Sequence, residues 1–184
     1  MREIQAQFQL PPELLLKAQP VRVVFFDIDG VFTDGGLYFD GAGEALKRFS
    51  TLDGYGIKML QAAGIVPAVV TGRDSAALRR RLSALGVTHA AFGQEDKLPA
   101  AQAILDELGL DWSAAAAMGD DWPDLPLLRR AAFACVPQGA HVECLALADW
   151  TPEAKPGHGA VRALCDALVL ASGQYRRLLE QAAS

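Results

Sequence analysis

Two aspartates one residue apart, Asp27 and Asp29, follow directly on the apolar run 21–26, and Gly30 comes next. Side chains alternate along an extended segment, so residues at i and i+2 project to the same side. Such a pair can divide one reaction, with one carboxylate attacking an electrophile while the other delivers or removes a proton. On a phosphate ester, Asp27 would attack phosphorus and Asp29 would handle the leaving-group proton, once a cation screens the repulsion between anions. Mg²⁺ suits that task, since it prefers hard oxygen donors and takes one or two carboxylates beside phosphate oxygen and water. Asp27 and Asp120 can supply those carboxylates. Thr71 offers a hydroxyl to a phosphoryl oxygen, Gly72 a closely approachable backbone N–H, and Lys97 a point charge for an oxyanion. The competing reading of residues 27–30 is a plain turn, for which Asp-Gly is common chemistry. Convergence favours catalysis, because every strong apolar run in the chain ends on a polar residue useful to phosphate.

Those positions need a scaffold that collects them. The runs 21–26, 65–70 and 114–118 are short and nearly all apolar, as central parallel strands covered on both faces are. Weaker strand candidates are 89–92, 132–136 and 149–151. Between them lie helical patterns. Asp53 is expected to cap a helix that turns Ile57, Leu60 and Ala63 inward and stops at Gly64. Asp74 or Ser75 caps the next, with Leu78, Leu82 and Leu85 on one face and Gly86 at its end. Residues 98–108 repeat the plan before Gly109; 124–132 and 142–148 are shorter, and 160–171 is the last strong helix. Strands alternating with helices predict a doubly wound α/β domain with a parallel sheet and helices on both faces. In such sheets ligands sit at the carboxyl ends of the strands, where Asp27, Asp29, Thr71, Lys97, Asp120 and Asp124 fall. Residues 32–49 break the alternation and predict a small β-hairpin flap. The expected organisation is an extension over 1–20, one domain over 21–172, and a tail of unknown order over 173–184.

Composition sets outer limits. The 184 residues are 51% hydrophobic and 21% charged, as in a compact globular domain, and the net charge of −5 gives no basic field for nucleic acid or an acidic membrane. Arg2, Glu3, Glu13 and Lys17 break up the N-terminal region, and no uncharged run is long enough to span a bilayer, so a cytoplasmic location is expected. Cys135, Cys144 and Cys165 are odd in number and set among apolar neighbours, which predicts reduced core thiols.

The segments Asp27-Ile28-Asp29-Gly30-Val31, Val70-Thr71-Gly72-Arg73, Lys97, and Gly119-Asp120-Asp121-Trp122-Pro123-Asp124 resemble, in order, the four motifs of the haloacid dehalogenase superfamily. The resemblance implies that Asp27 is the nucleophile and that Asp29 is the acid in phosphoryl transfer and the base in hydrolysis. It also implies that Asp27, Asp120 and the Asp29 backbone carbonyl ligate Mg²⁺. Asp124 would steady the metal or Lys97, and Asp121 would either do likewise or cap a helix. Further stretches, including Thr33-Asp34-Gly35, Asp53-Gly54-Tyr55-Gly56-Ile57, Gly86-Val87-Thr88-His89 and Gly159-Ala160-Val161-Arg162, resemble the family of phosphatases acting on 3-deoxy-D-manno-octulosonate 8-phosphate. That likeness covers about residues 20–172 and implies a small phosphorylated sugar-acid substrate from lipopolysaccharide biosynthesis.

A separate cap domain would need roughly 40 residues, and the chain has no insert of that size. The family's solution is a homotetramer in which the flap of one subunit reaches its neighbour's site, and Leu37-Tyr38-Phe39 gives this flap an apolar patch. Arg73, next to the motif threonine, is expected to meet phosphate or a substrate carboxylate. His158 stands where many relatives carry arginine, and is expected to touch substrate more weakly; Leu52 also departs from a frequent basic residue. Residues Arg79, Arg80 and Arg81 read as a solvated helix face. Three alternatives compete: a phosphatase of another sugar acid such as a nonulosonate 9-phosphate, a phosphoacceptor receiver domain, and a catalytically silent assembly partner. The receiver places its acidic pair, phosphorylated aspartate, threonine and lysine in a different order from the one here.

Overall fold

The computed structural model describes residues 4–41 and 43–184. The first three residues of the expected extension, and Ala42 of the expected hairpin turn, lie outside the described residues.

The chain opens with α1 (Pro12–Ala18) and enters β1 (Val23–Phe26). A hairpin follows, made of β2 (Tyr38–Asp40) and β3 (Gly43–Leu46), and then α2 (Thr51–Ala62). Strand–helix alternation continues through β4 (Val66–Val70), α3 (Ala76–Leu85), β5 (His89–Ala91), α4 (Lys97–Leu108) and β6 (Ala115–Met118). The remaining elements are α5 (Leu125–Leu128), β7 (Phe133–Cys135), α6 (Val142–Leu145), α7 (Ala160–Ala171) and α8 (Tyr175–Ala182).

The five long-range strands form one parallel sheet in the order β5-β4-β1-β6-β7. β1 lies at its centre, with Val23 opposite both Val66 and Ala115. Its four residues are all buried because alternate side chains enter two different cores. Val24 and Phe26 face α2, α3 and α7, meeting Ile57, Leu78 and Leu164. Val23 and Phe25 face α4 and α5, meeting Leu105 and Leu128. This is the doubly wound α/β arrangement expected, and Phe26, 1% exposed, is the type of side chain whose loss costs about 3–5 kcal/mol.

Helix ends agree with the residue chemistry at several places. The Ser75 side chain accepts from Leu78 N–H, and Gly86 and Gly109 close α3 and α4 in the left-handed conformation. Asp74 instead pairs with Arg79 at 2.7 Å through both oxygens. Asp53 does not cap α2; Ser50 does, accepting from Leu52 N–H. Asp53 is buried inside the first turn, and its carboxylate accepts from the backbone N–H groups of Gly159 (3.2 Å) and Arg162 (2.9 Å). It thereby caps α7, whose own preceding residue, Gly159, has no side chain to do so.

Other boundaries shift. The run 124–132 yields a 3-10 turn at Trp122–Asp124 and a single α turn in α5, and 149–151 contributes only a bridge between Cys135 and Trp150. Arg79 and Arg80 are exposed as expected, but Arg81 is half-buried: it donates to the Ser50 carbonyl and lies over the Phe49 ring. The terminal α8 packs Tyr175 and Leu178 against the core, and Arg177 donates to the Ala62 carbonyl. All three cysteines are free and buried. Among the described residues no helix is long and apolar enough to cross a membrane.

Candidate active site

Three neighbouring strands end at one cleft. β1 delivers Asp27, whose N–H donates to the Met118 carbonyl at the end of β6; β4 delivers Thr71; β6 delivers Asp120. The cleft has a volume of about 450 Å³ and is lined by Asp27, Asp29, Thr71, Gly72, Arg73, Gln94, Glu95, Lys97, Asp120, Asp121, Pro123 and Asp124. A second, smaller groove between α2, α7 and α8 has no lining carboxylate among the described residues.

At the floor, Lys97 is the first residue of α4 and only 3% exposed, and its Nζ lies 2.6 Å from Asp124 Oδ1 and 2.8 Å from Asp27 Oδ1. Asp124 is held from its other side, where Oδ2 accepts from the N–H groups of Asp120 (3.0 Å) and Asp121 (3.3 Å). Gly119 makes this possible, since a Cβ there would fall 2.3 Å from the Asp124 side chain. Oxygens of Asp27, Asp120 and Asp124 lie within 4.8 Å of one another.

Three carboxylates around one ammonium leave an excess of negative charge in a poorly hydrated place. Burial pushes the Asp27 carboxyl up to about 6, with Asp124 adding to the rise and Lys97 opposing it. Burial likewise pushes Asp120 up to about 7, helped by Asp124 and Asp27. Burial pulls the Lys97 ammonium down, but Asp124 and Asp27 outweigh it and hold the group above its ordinary range. This set of hard oxygen donors with uncompensated charge fits a divalent cation such as Mg²⁺. Asp27 and Asp120 are the available ligands, because Lys97 and two backbone N–H groups already engage Asp124.

Thr71 is buried, and its hydroxyl accepts from Arg73 N–H at 3.4 Å. Arg73 is 48% exposed, with Nε 3.7 Å from Asp29 Oδ2. Gly72 opens onto the cleft; a Cβ there would meet only the Gln94 carbonyl, at 3.9 Å. Asp121 is exposed at the rim, where it lines the cleft and caps the Trp122 turn by accepting from Trp122 N–H.

His158 is not brought to the cleft lining. Its Nδ1 lies 2.9 Å from the Pro156 carbonyl, in a loop bound to residues 31–34 through the Gly157 N–H to Val31 carbonyl bond. The exposed Leu52 lies beside that loop, near Gly159. Conversely, the expectations missed Gln94 and Glu95, which line the cleft, and Lys47, whose Nζ donates to Asp29 Oδ1 at 2.5 Å. A single lysine in a hairpin arm carries no spacing signal that would announce such a contact.

No family model matches the chain. The 3-deoxy-D-manno-octulosonate 8-phosphate phosphatase of Salmonella typhimurium is 36% identical over 163 residues, covering 89% of this chain and 87% of the relative. The chain belongs to the 3-deoxy-D-manno-octulosonate 8-phosphate phosphatase family. A family member from Moraxella catarrhalis, solved with magnesium, phosphate and KDO, superposes with a TM-score of 0.89 at 33% identity, covering 92% of this chain and 97% of that one. The cobalt-bound enzyme from Haemophilus influenzae superposes at 0.84 with 36% identity, covering 86% and 93%. A putative haloacid dehalogenase superfamily hydrolase from Legionella pneumophila is 41% identical at 0.86, covering 89% and 90%. The superfamily expected from the four motifs, the family expected from the further stretches and the α/β fold expected from the alternation are thus all found.

Proposed function

We propose that this protein is a Mg²⁺-dependent phosphatase that hydrolyses 3-deoxy-D-manno-octulosonate 8-phosphate through an aspartyl-phosphate on Asp27. The observation that carries the reading is the convergence of Asp27, Asp29, Thr71, Lys97 and Asp120 on one cleft at the ends of three adjacent strands. The name of the family supplies the substrate.

In the first step an Asp27 carboxylate oxygen attacks phosphorus in line with the ester oxygen. The P–O bond to the sugar breaks, and Asp29 gives its proton to the departing alkoxide. In the second step Asp29, now a carboxylate, takes a proton from water as that water attacks the phosphoryl group, releasing phosphate and restoring Asp27. Lys97 offsets charge on Asp27 and on the phosphoryl oxygens, while the Thr71 hydroxyl and Gly72 N–H orient the same oxygens. Asp27, Asp120 and the Asp29 backbone carbonyl would hold Mg²⁺, which when bound screens the repulsion between nucleophile and phosphate. Asp124 keeps Lys97 and the 119–121 backbone in place. Arg73, half-exposed at the mouth, suits a substrate carboxylate.

The exposed side chains of Leu37, Tyr38, Phe39 and Leu46 on the hairpin support a homotetramer in which each hairpin covers a neighbour's open cleft. The family's role in lipopolysaccharide synthesis supports a cytoplasmic location.

The test is phosphate release from 3-deoxy-D-manno-octulosonate 8-phosphate and from a nine-carbon nonulosonate 9-phosphate, each with Mg²⁺ and with chelator. Preference for the eight-carbon ester, abolished by chelator and by Asp27→Asn, is expected. Preference for the nine-carbon ester would move the substrate assignment, and turnover by Asp27→Asn would remove the covalent route. Sedimentation as a monomer at assay concentration would remove the shared site.

A further inference from the structure

The hairpin's return arm carries a lysine that the two steps above leave unused. Lys47 directly follows β3, and its side chain is 1% exposed, although lysine is rarely buried unless paired. Its Nζ donates to Asp29 Oδ1 at 2.5 Å and lies 3.2 Å from Glu44 Oε2. One oxygen of Asp29 is therefore occupied. The other, Oδ2, is buried with no hydrogen-bond partner among the described residues, and Arg73 Nε at 3.7 Å is beyond hydrogen-bonding range.

The two oxygens of Asp29 are thus chemically different. An ammonium has donors and no acceptor, so a proton on Oδ1 would face another proton donor, whereas a proton on Oδ2 meets no such conflict. We propose that Lys47 is a positioning residue for proton transfer: by holding Oδ1 it fixes the Asp29 side chain and assigns the transferable proton to Oδ2. The inference rests on Asp29 being the acid and base of the phosphatase reaction.

The arm that carries Lys47 is itself anchored. Arg48 Nη1 donates to the Gly157 carbonyl at 3.1 Å, and Gly157 N–H donates to the Val31 carbonyl at 3.1 Å. Contact there is close enough that a Cβ on Gly157 would come within 2.7 Å of the Asp34 nitrogen. The segment leaving Asp29 and the arm bearing Lys47 are therefore clamped to the same loop, and Glu44 steadies the ammonium from its other side. A lysine on an unanchored hairpin would spend its rotamer freedom elsewhere.

A general acid matters most for a poor leaving group, which gives a readout that simple structural damage would not imitate. The assay compares kcat/KM for the alkyl ester, 3-deoxy-D-manno-octulosonate 8-phosphate, with that for p-nitrophenyl phosphate, whose phenolate departs without a proton. Lys47→Met is expected to lower the alkyl value by about 10²-fold, chiefly through kcat, and the aryl value at least tenfold less, while Lys47→Arg recovers most of the loss. Asp29→Asn, run in parallel, should show the same selectivity with a larger loss. If Asp29→Asn is selective but Lys47→Met depresses both esters equally, or neither, the lysine is only a structural clamp and the proposal falls. Should Asp29→Asn depress both esters equally, the acid–base reading beneath it falls instead. Where Lys47→Met unfolds because Glu44 is stranded, Glu44→Gln/Lys47→Met removes that charge and yields the same ratio.

Discussion

A Cβ built on Gly30 would lie 2.1 Å from Asp120 Oδ2, so the glycine that follows the acidic pair beyond β1 leaves room for a carboxylate arriving from the end of β6. Gly30 also has φ +84°, a backbone state that side-chain-bearing residues occupy at a cost of about 1–2 kcal/mol. Space and conformation make the same demand. Gly30→Ala is expected to displace Asp120, weaken Mg²⁺ binding at least tenfold by isothermal titration calorimetry, and lower the melting temperature by about 2–4 °C per kcal/mol of strain. Unchanged Mg²⁺ affinity would separate Asp120 from the metal.

The raised carboxyls of Asp27 (about 6) and Asp120 (about 7) give metal binding a pH dependence. A raised value means that the folded protein holds protons at a pH where the unfolded chain has released them. Without metal, these two groups therefore reduce stability as pH climbs from about 4 toward 7. Ligation requires the carboxylates, so Mg²⁺ affinity should fall as pH drops through 7 and then 6. Titration calorimetry at pH 5.5 should give an affinity at least about tenfold weaker than at pH 8, with proton release visible as a dependence on buffer ionisation heat.

Lys97 is the sole cation touching both Asp27 and Asp124 among the described residues. Replacing it by methionine leaves those carboxylates buried against one another. Removing one partner of a buried ion pair typically costs about 3–5 kcal/mol, and urea denaturation of metal-free Lys97→Met should show a loss near the lower figure. Saturating Mg²⁺ should narrow the gap. Turnover should still drop at least about 10²-fold, since in the proposed mechanism Lys97 also offsets charge on the phosphoryl oxygens.

Asp53 offers a test of stability away from the chemistry. Asp53→Ala strands the N–H groups of Gly159 and Arg162 and should cost about 1–3 kcal/mol in denaturant unfolding. Burial holds the Asp53 carboxyl above its ordinary range despite those two donors. Asp53→Asn, which keeps an acceptor and buries no charge, should therefore lose less than Asp53→Ala.

What the sequence made legible was whatever local pattern encodes. β1, β4 and β6 were visible as short apolar runs because a strand covered on both faces has no polar alternation to hide it. Ser75, Gly86 and Gly109 were visible as caps because capping acts within one turn. Asp53 was misassigned for the complementary reason: its partners lie 106 and 109 residues away, and nothing in its neighbours reports them. Lys47 escaped in the same way, and Arg81 was read as solvated because a run of three arginines does not reveal which one turns back over Phe49. The tail 173–184 reads as one of unknown order because it holds few large apolar groups, yet Tyr175 and Leu178 share one helical face and seat α8 against the core. Of the cleft residues, those in the four motifs were anticipated, whereas Gln94 and Glu95 owe their place to a loop whose path depends on the bond from Gln94 N–H to the Thr71 carbonyl.

The central position of β1 bears on how the molecule gains its activity. Its partners β4 and β6 are distant in sequence, and Asp27, Thr71 and Asp120 sit just past the three strand ends. No fragment that lacks one of these three strands can assemble the cleft; both crossovers must close before Asp27, Thr71 and Asp120 share a neighbourhood. During refolding, helical signal and collapse can return early, while turnover must wait until β4 and β6 have both paired with β1. Enzymatic activity is thus a clock for the closing of the sheet's centre.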